Sequence, residues 1–191
     1  MNKYVLNAAL DQQEAVRNMK EHRQNFIEKW RRLFKKEKSK LISIEKLYLP
    51  FWCFKYEYSS KQLKSKIEGQ VAIETYRHHT AILPDSTTFL DFEEGLPVLP
   101  VKGKPVPEAA RNEIYWEAFG REKKRKDIKI DIIDTALLYV PYWVGYVSGQ
   151  EWDIIIADAT TGKIDLGLKD AMLEAIMASA AHKEGKKNPQ R

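Results

Sequence analysis

The sequence predicts an α+β protein built from two related helix-plus-antiparallel-meander units, α-β-β-β twice, followed by a C-terminal helix. Three observations predict it. Two similar apolar words, "LYLPFWCFKY" from Leu47 and "LYVPYWVGYV" from Leu138, recur 91 residues apart, so Tyr48, Pro50 and Trp52 fall on Tyr139, Pro141 and Trp143. Each word follows a helical stretch that ends in a basic run, and then a short Ile-rich segment. In both halves the hydrophobic period switches from three or four residues to two.

The first helix is expected from Asp11 to about Lys38, where neither Pro nor Gly occurs and Val16, Met19, Phe26, Ile27, Trp30, Leu33 and Phe34 recur at helical spacing. Its basic residues Arg31, Arg32, Lys35 and Lys36 crowd toward the C-terminal end, which the helix dipole favours. Residues 41–58 then alternate, and Pro50 is expected to divide them into two strands at a bulge or bend, because proline has no N–H to give a ladder. Residues 67–83 read as one further strand. Residues 1–83 thus form the first unit.

The stretch 84–106 holds Pro84, Pro97, Pro100 and Pro105 and reads as an extended linker. Pro107 suits the first turn of a second helix and Gly120 its stop. The strands "IKIDIID", "ALLYVPYWVGYV" and "EWDIIIADATTGKIDLG" complete the second unit, 107–167. In "LKDAMLEAIMASAA", 168–181, Met172, Leu173, Ile176, Met177 and Ala180 form a stripe on a third helix with little polar surface, which predicts tight packing and a homodimer through this element. The tail 182–191 reads as flexible.

The chain has 191 residues, 43% hydrophobic and 31% charged, an ordinary globular composition with length enough for a substantial core. No stretch approaches the roughly 20 apolar residues of a membrane span, and no leader pattern opens the chain, so a cytoplasmic protein is expected. The single Cys53, between Trp52 and Phe54, reads as a small buried hydrophobe.

Chemistry is sparse. No glycine-rich phosphate loop is present, and adjacent His78 and His79 point to opposite faces of a strand. One cysteine and scattered histidines do not make a zinc set, and Asp153 and Asp158 fall on opposite faces of their strand. Neither catalytic residues nor a metal or cofactor site is expected.

Net charge is +5 with a pI near 9.1. The basic runs "KWRRLFKKEKSK", 29–40, and "GREKKRKDIK", 120–129, make Arg31, Arg32, Lys35, Lys36, Lys123, Lys124 and Arg125 the candidate binding residues. Beside the aromatic words they have the ingredients of a sequence-tolerant nucleic-acid surface. Sheets normally bury such rings, so Tyr48, Pro50, Trp52, Tyr139, Pro141 and Trp143 are expected as the core of the repeat, with Trp52 and Trp143 in equivalent buried places.

The run Asp158-Ala159-Thr160-Thr161-Gly162-Lys163-Ile164 resembles the closing hairpin of PepSY domains, small helix-plus-antiparallel-sheet modules whose strand ends in Asp-Ala-x-Thr-Gly-x-Ile/Val. With the aromatic words before it, the resemblance covers residues 138–166. It implies a cystatin-like or PepSY-like fold with an inhibitory or protein-binding role, and it carries over no catalytic residue. The combined reading is a non-catalytic protein-binding or regulatory module with an unidentified protein partner; the alternative is the nucleic-acid binder.

Overall fold

The computed structural model describes residues 1–31, 40–60, 63, 65–121, 127–148 and 153–187, with only the backbone at 24–31, 121 and 184–187. The fold is α+β, with three helices and one mixed sheet of seven strands among the described residues. In chain order the elements are β1 (Lys3–Leu6), α1 (Gln12–Arg31), β2 (Lys40–Ser59), β3 (Ile67–Glu74), β4 (Thr80–Leu83), β5 (Phe89–Asp91), α2 (Pro107–Arg121), β6 (Lys129–Ser148), β7 (Asp153–Asp158) and α3 (Lys169–Lys187). The sheet order is β4-β3-β2-β6-β1-β5, with β7 also pairing β6.

Several expected boundaries move. Pro50 does not break its strand, and the two strands expected as "IKIDIID" and "ALLYVPYWVGYV" are one, so β2 and β6 each run 20 residues. Around Pro50 the pairing itself explains this. Tyr48 bridges Val98 before the proline, and Phe51 pairs Glu74 after it. Around Pro141, Val5 partners Tyr139 before it and Asp158 partners Tyr142 after it. Each proline sits where its strand exchanges one partner for another, so the missing N–H interrupts no ladder bond. The carbonyls are used: Pro50 O accepts from Thr75 N at 3.3 Å and Pro141 O from Ala159 N at 3.1 Å.

The stretch 67–83 holds two strands rather than one, because Glu74 closes a tight turn. Glu74 N donates to His79 O, His78 N donates to Glu74 O, and His78 takes a left-handed φ of 62°. The turn after β7 has the same pattern: Asp158 N donates to Lys163 O, Gly162 N donates to Asp158 O, and Gly162 has φ 78°. In both, the carboxylate of the last strand residue accepts backbone N–H groups of the turn, Tyr76 and Arg77 on Glu74, Thr160 and Thr161 on Asp158. Inside the stretch read as linker, β5 pairs β1, since no proline interrupts 85–96. The parallel pairing of β1 with β6 makes the sheet mixed rather than an antiparallel meander.

Compactness divides the chain into two units whose borders fall inside β2 and β6. The first comprises Met1–Leu6, Pro50–Phe92 and Val101–Tyr139; α2 packs there on β3 through fully buried Ala110, Ile114 and Ala118. The second comprises Asn7–Leu49, Glu93–Pro100 and Val140–Arg191; α1 and α3 pack there on β7, with Ala15, Met19, Ala171, Met172 and Ala175 facing inward. An Asp11–Glu14 capping box starts α1: Glu14 N donates to Asp11 Oδ1 at 2.8 Å and Asp11 N to Glu14 Oε2 at 3.3 Å.

Candidate functional site

Helix α2 of the first unit carries the clearest exposed feature. Ala110, Ile114 and Ala118, spaced at i, i+4 and i+8, bury one face. Tyr115, Trp116 and Phe119 stand off that stripe and touch one another, with ring centroids 5.2–5.9 Å apart. Trp116 is 56% exposed and Tyr115 37%. Three rings in mutual contact on a solvent-facing helix side form a patch, not the scattered apolar residues that any surface carries.

The second feature is a small cleft in the same unit, about 30 Å³ in volume, room for roughly one water molecule. Trp52 and Phe54 on β2 and Ile73 on β3 line its apolar side; Lys102, Gly103 and Lys104 line its other side, with His78 and Val106. The indole Nε1 of Trp52 is buried with no hydrogen-bond partner among the described residues. Glu74 also borders the cleft, but its carboxylate already accepts from the N–H groups of Tyr76 and Arg77. Lys102 is steered by its own N–H, which donates to Thr75 Oγ1 at 3.5 Å, and by the Tyr76 ring, whose centroid lies 5.6 Å from the ammonium.

A shallower hollow of about 180 Å³ lies on the sheet of the first unit, where Tyr4, Cys53, Lys55, Gln70 and Asp134 come together. Burial, helped by the Asp134 charge, pushes the Cys53 thiol up to about 12, so it stays protonated and unreactive at neutral pH. Among the described residues no group of three or more His, Cys, Asp or Glu side chains is arranged to hold a metal ion.

Of the sequence-selected residues, Tyr48, Pro50, Trp52, Tyr139 and Pro141 are buried, and Trp143 is only half-buried. That difference corrects the expectation of equal burial: Trp143 carries its indole to the surface, where Nε1 donates to Leu10 O at 3.0 Å and Lys46 lies over the ring. The buried rings, with Phe51, Tyr56 and Tyr142, present no faces on which bases can stack. Arg31 ends α1; Arg32, Lys35, Lys36, Lys123, Lys124 and Arg125 lie outside the described residues. The aromatic patch of α2 was legible only indirectly: the alanine and isoleucine stripe marks the inward face and leaves Tyr115, Trp116 and Phe119 off it. The cleft had no sequence signal, because β2, β3 and the segment 102–106 meet only in three dimensions.

Comparison with known proteins finds no family model, no curated protein and no solved structure that matches this chain.

Proposed function

We propose that the chain is a non-catalytic protein-binding module that presents the aromatic face of α2 to an apolar, acid-bearing segment of a partner. The observation that carries this reading is the contact triad Tyr115, Trp116 and Phe119 on a solvent-facing helix side. Tyrosine and tryptophan are the side chains most often found as binding anchors. The net charge of +5 favours an acidic partner. Selection from a random-peptide display library tests it. Enriched peptides combine apolar and acidic residues, bind the wild-type chain, and lose about tenfold or more in affinity against Trp116→Ala with Phe119→Ala. No enrichment, or equal binding to the double variant, overturns the reading. Both residues are off the buried stripe, so the variant keeps its fold.

The scaffold beneath this surface we read as a duplication of a PepSY-like helix-and-hairpin module in a cytoplasmic protein. Its support is the repeat offset of 91, the exchange of partners at both prolines, and the two carboxylate-closed turns with matching hydrogen bonds. No helix among the described residues is long and apolar enough to cross a membrane.

A specific observation in the second unit favours self-association as well. Helix α3 buries Ala171, Met172 and Ala175 but leaves Leu173, Met177 and Ala180 exposed at helical spacing, Met177 by 71%. A second copy laid on this stripe buries it in a two-fold pair. Sedimentation equilibrium on the wild type gives a dimer mass and on Met177→Glu a monomer mass; a wild-type monomer at high concentration removes the homodimer.

A further inference from the structure

We propose that the open edge of β4 takes up an extended peptide as an added antiparallel strand, with β-branched residues at its centre, a cation at its N-terminal end and a carboxylate at its C-terminal end. The edge lies on a different element from the aromatic face of α2, and the proposal stands whatever that face binds.

The hydrogen-bond pattern of the first unit supplies the first reason. Along an antiparallel ladder one residue gives both its N–H and its C=O to one neighbouring strand, and the next residue turns both to the other side. His79 O accepts from Glu74 N, and β4 pairs β3 in the register Ile73 to Thr80, Ala72 to Ala81, Val71 to Ile82 and Gln70 to Leu83. Ala81 and Leu83 therefore bond β3, and Thr80 and Ile82 turn their backbone groups outward. β4 ends the sheet order, Thr80 and Ala81 are exposed, and among the described residues none pairs the outer side.

The second unit shows how the same edge is closed elsewhere. After its matching turn Ile164 bridges Ala157, and Asp165 N donates to Ile156 O at 2.9 Å, so the returning segment begins as β4 does. Asp165 then stops it: its Oδ1 accepts from Gly167 N at 2.9 Å and Leu168 N at 3.1 Å, just before α3. β4 instead runs on from Thr80 to Leu83. Sheets protect open edges with a charge, a proline, a short strand or a cover. β5, at the other end of the sheet order, is three residues long and carries Asp91. β4 carries neither charge nor proline.

The surround of the edge selects the strand that fits it. Arg77, His78 and His79, all exposed, stand just before β4, and exposed Asp85 stands just after it. A strand antiparallel to β4 brings its C-terminal end to the basic side and its N-terminal end to Asp85, so a carboxylate at the one and a cation at the other match both. Thr80 and Ile82 then exchange about four hydrogen bonds with it. The residue opposite Ala81 meets a small exposed side chain and has room to be β-branched; its neighbours lie beside half-buried Ile82 and Leu83. Backbone bonds hold such an added strand. The end charges set its direction.

The probe is a capped six-residue peptide reading lysine, threonine, valine, threonine, valine, glutamate, titrated into the full chain and followed in ¹H–¹⁵N spectra with amide exchange. In the free chain the amides of Thr80 and Ile82 exchange faster than those of Ala81 and Leu83. The peptide is expected to give saturable shifts at residues 79–84 and to slow exchange at Thr80 and Ile82. N-methylation of both valines or of both threonines abolishes binding in one case and spares it in the other, because only alternate amides face β4. The reversed sequence binds about tenfold or more weakly. Thr80→Pro, which removes an outward N–H from an exposed residue and no bond to β3, lowers the affinity by a similar factor. Absent shifts, equal behaviour of the two N-methylated forms, equal affinity of the reversed sequence, or an unchanged affinity in Thr80→Pro overturns the proposal. So do shifts of the same amides on concentrating the chain alone, which make the occupant a second copy.

Discussion

The two tryptophans that follow the repeated prolines occupy contrasting surroundings. In the first unit Trp52 is buried, its N–H has no partner among the described residues, and a cleft lined by Lys102 and Lys104 lies against the residue. In the second, Trp143 is half-buried, its N–H is bonded to Leu10, and Leu10 and Asn18 occupy the neighbouring turn. The same word of sequence thus leaves an indole without an acceptor in one place and gives it one in the other. The difference comes from what the chain sends across the tryptophan: 102–106, with two lysines and a positive-φ glycine, or Asn7–Asp11, with an apolar side chain and a helix cap.

The sharpest test of this contrast is truncation. Trp52→Ala removes a fully packed ring and is expected to cost about 3–5 kcal/mol in urea unfolding, whereas Trp143→Ala costs less because part of its ring is already wet. Equal losses break the comparison.

Next comes the place two residues beyond each tryptophan. Phe54, fully buried, fills its own space in the first unit; its counterpart Gly145 admits side chains from α1 and β2. A Cβ on Gly145 comes within 2.7 Å of Met19 Sδ and Leu41 Cδ1. Gly145→Ala is expected to destabilise by about 1–3 kcal/mol, and pairing it with Met19→Ala to return part of the loss, read as non-additivity in a double-mutant cycle.

A finer comparison removes only the N–H together with the larger ring. Trp143→Phe gives up the bond to Leu10 and leaves that carbonyl unpaired, while Trp52→Phe gives up no bond. The excess cost at Trp143 is expected to be about 1 kcal/mol by chemical denaturation. A greater cost at Trp52 means that its indole has a partner.

The smallest effect lies one residue beyond Trp52, where Cys53 corresponds to Val144. The thiol is held up to about 12 from an ordinary 9.0, chiefly by burial. It keeps its proton in the fold and loses it in the unfolded chain, so stability declines as pH rises from 9 toward 12 and is unaffected below 9. Buried Tyr139 and half-buried Tyr146, the latter donating its hydroxyl to Glu45, are also raised and add to the same alkaline slope. Cys53→Val makes this position like its counterpart and flattens the slope of Tm against pH; an unchanged slope assigns it to the tyrosines.

What the residues alone determined were the α+β class and the longer elements. Periodicity and caps placed α2 and α3 within a residue at their starts, because an amphipathic stripe and a first-turn proline act locally. The proline-centred words announced two matching strands for the same reason. The partners of those strands were another matter: that β2 and β6 pass unbroken through their prolines follows from an exchange of neighbours at each, and Val98, Val5, Glu74 and Asp158 lie far off in sequence. Short β1 and β5, four and three residues long, carry too few alternations to be read alone; β1 is held between β6 and β5, and β5 pairs β1. Whether a given indole finds an acceptor depends on which distant loop crosses it, and nothing in the words around Trp52 and Trp143 encodes that loop. Local pattern fixes which side chains face inward; only the folded chain decides which of them is left with an unanswered hydrogen.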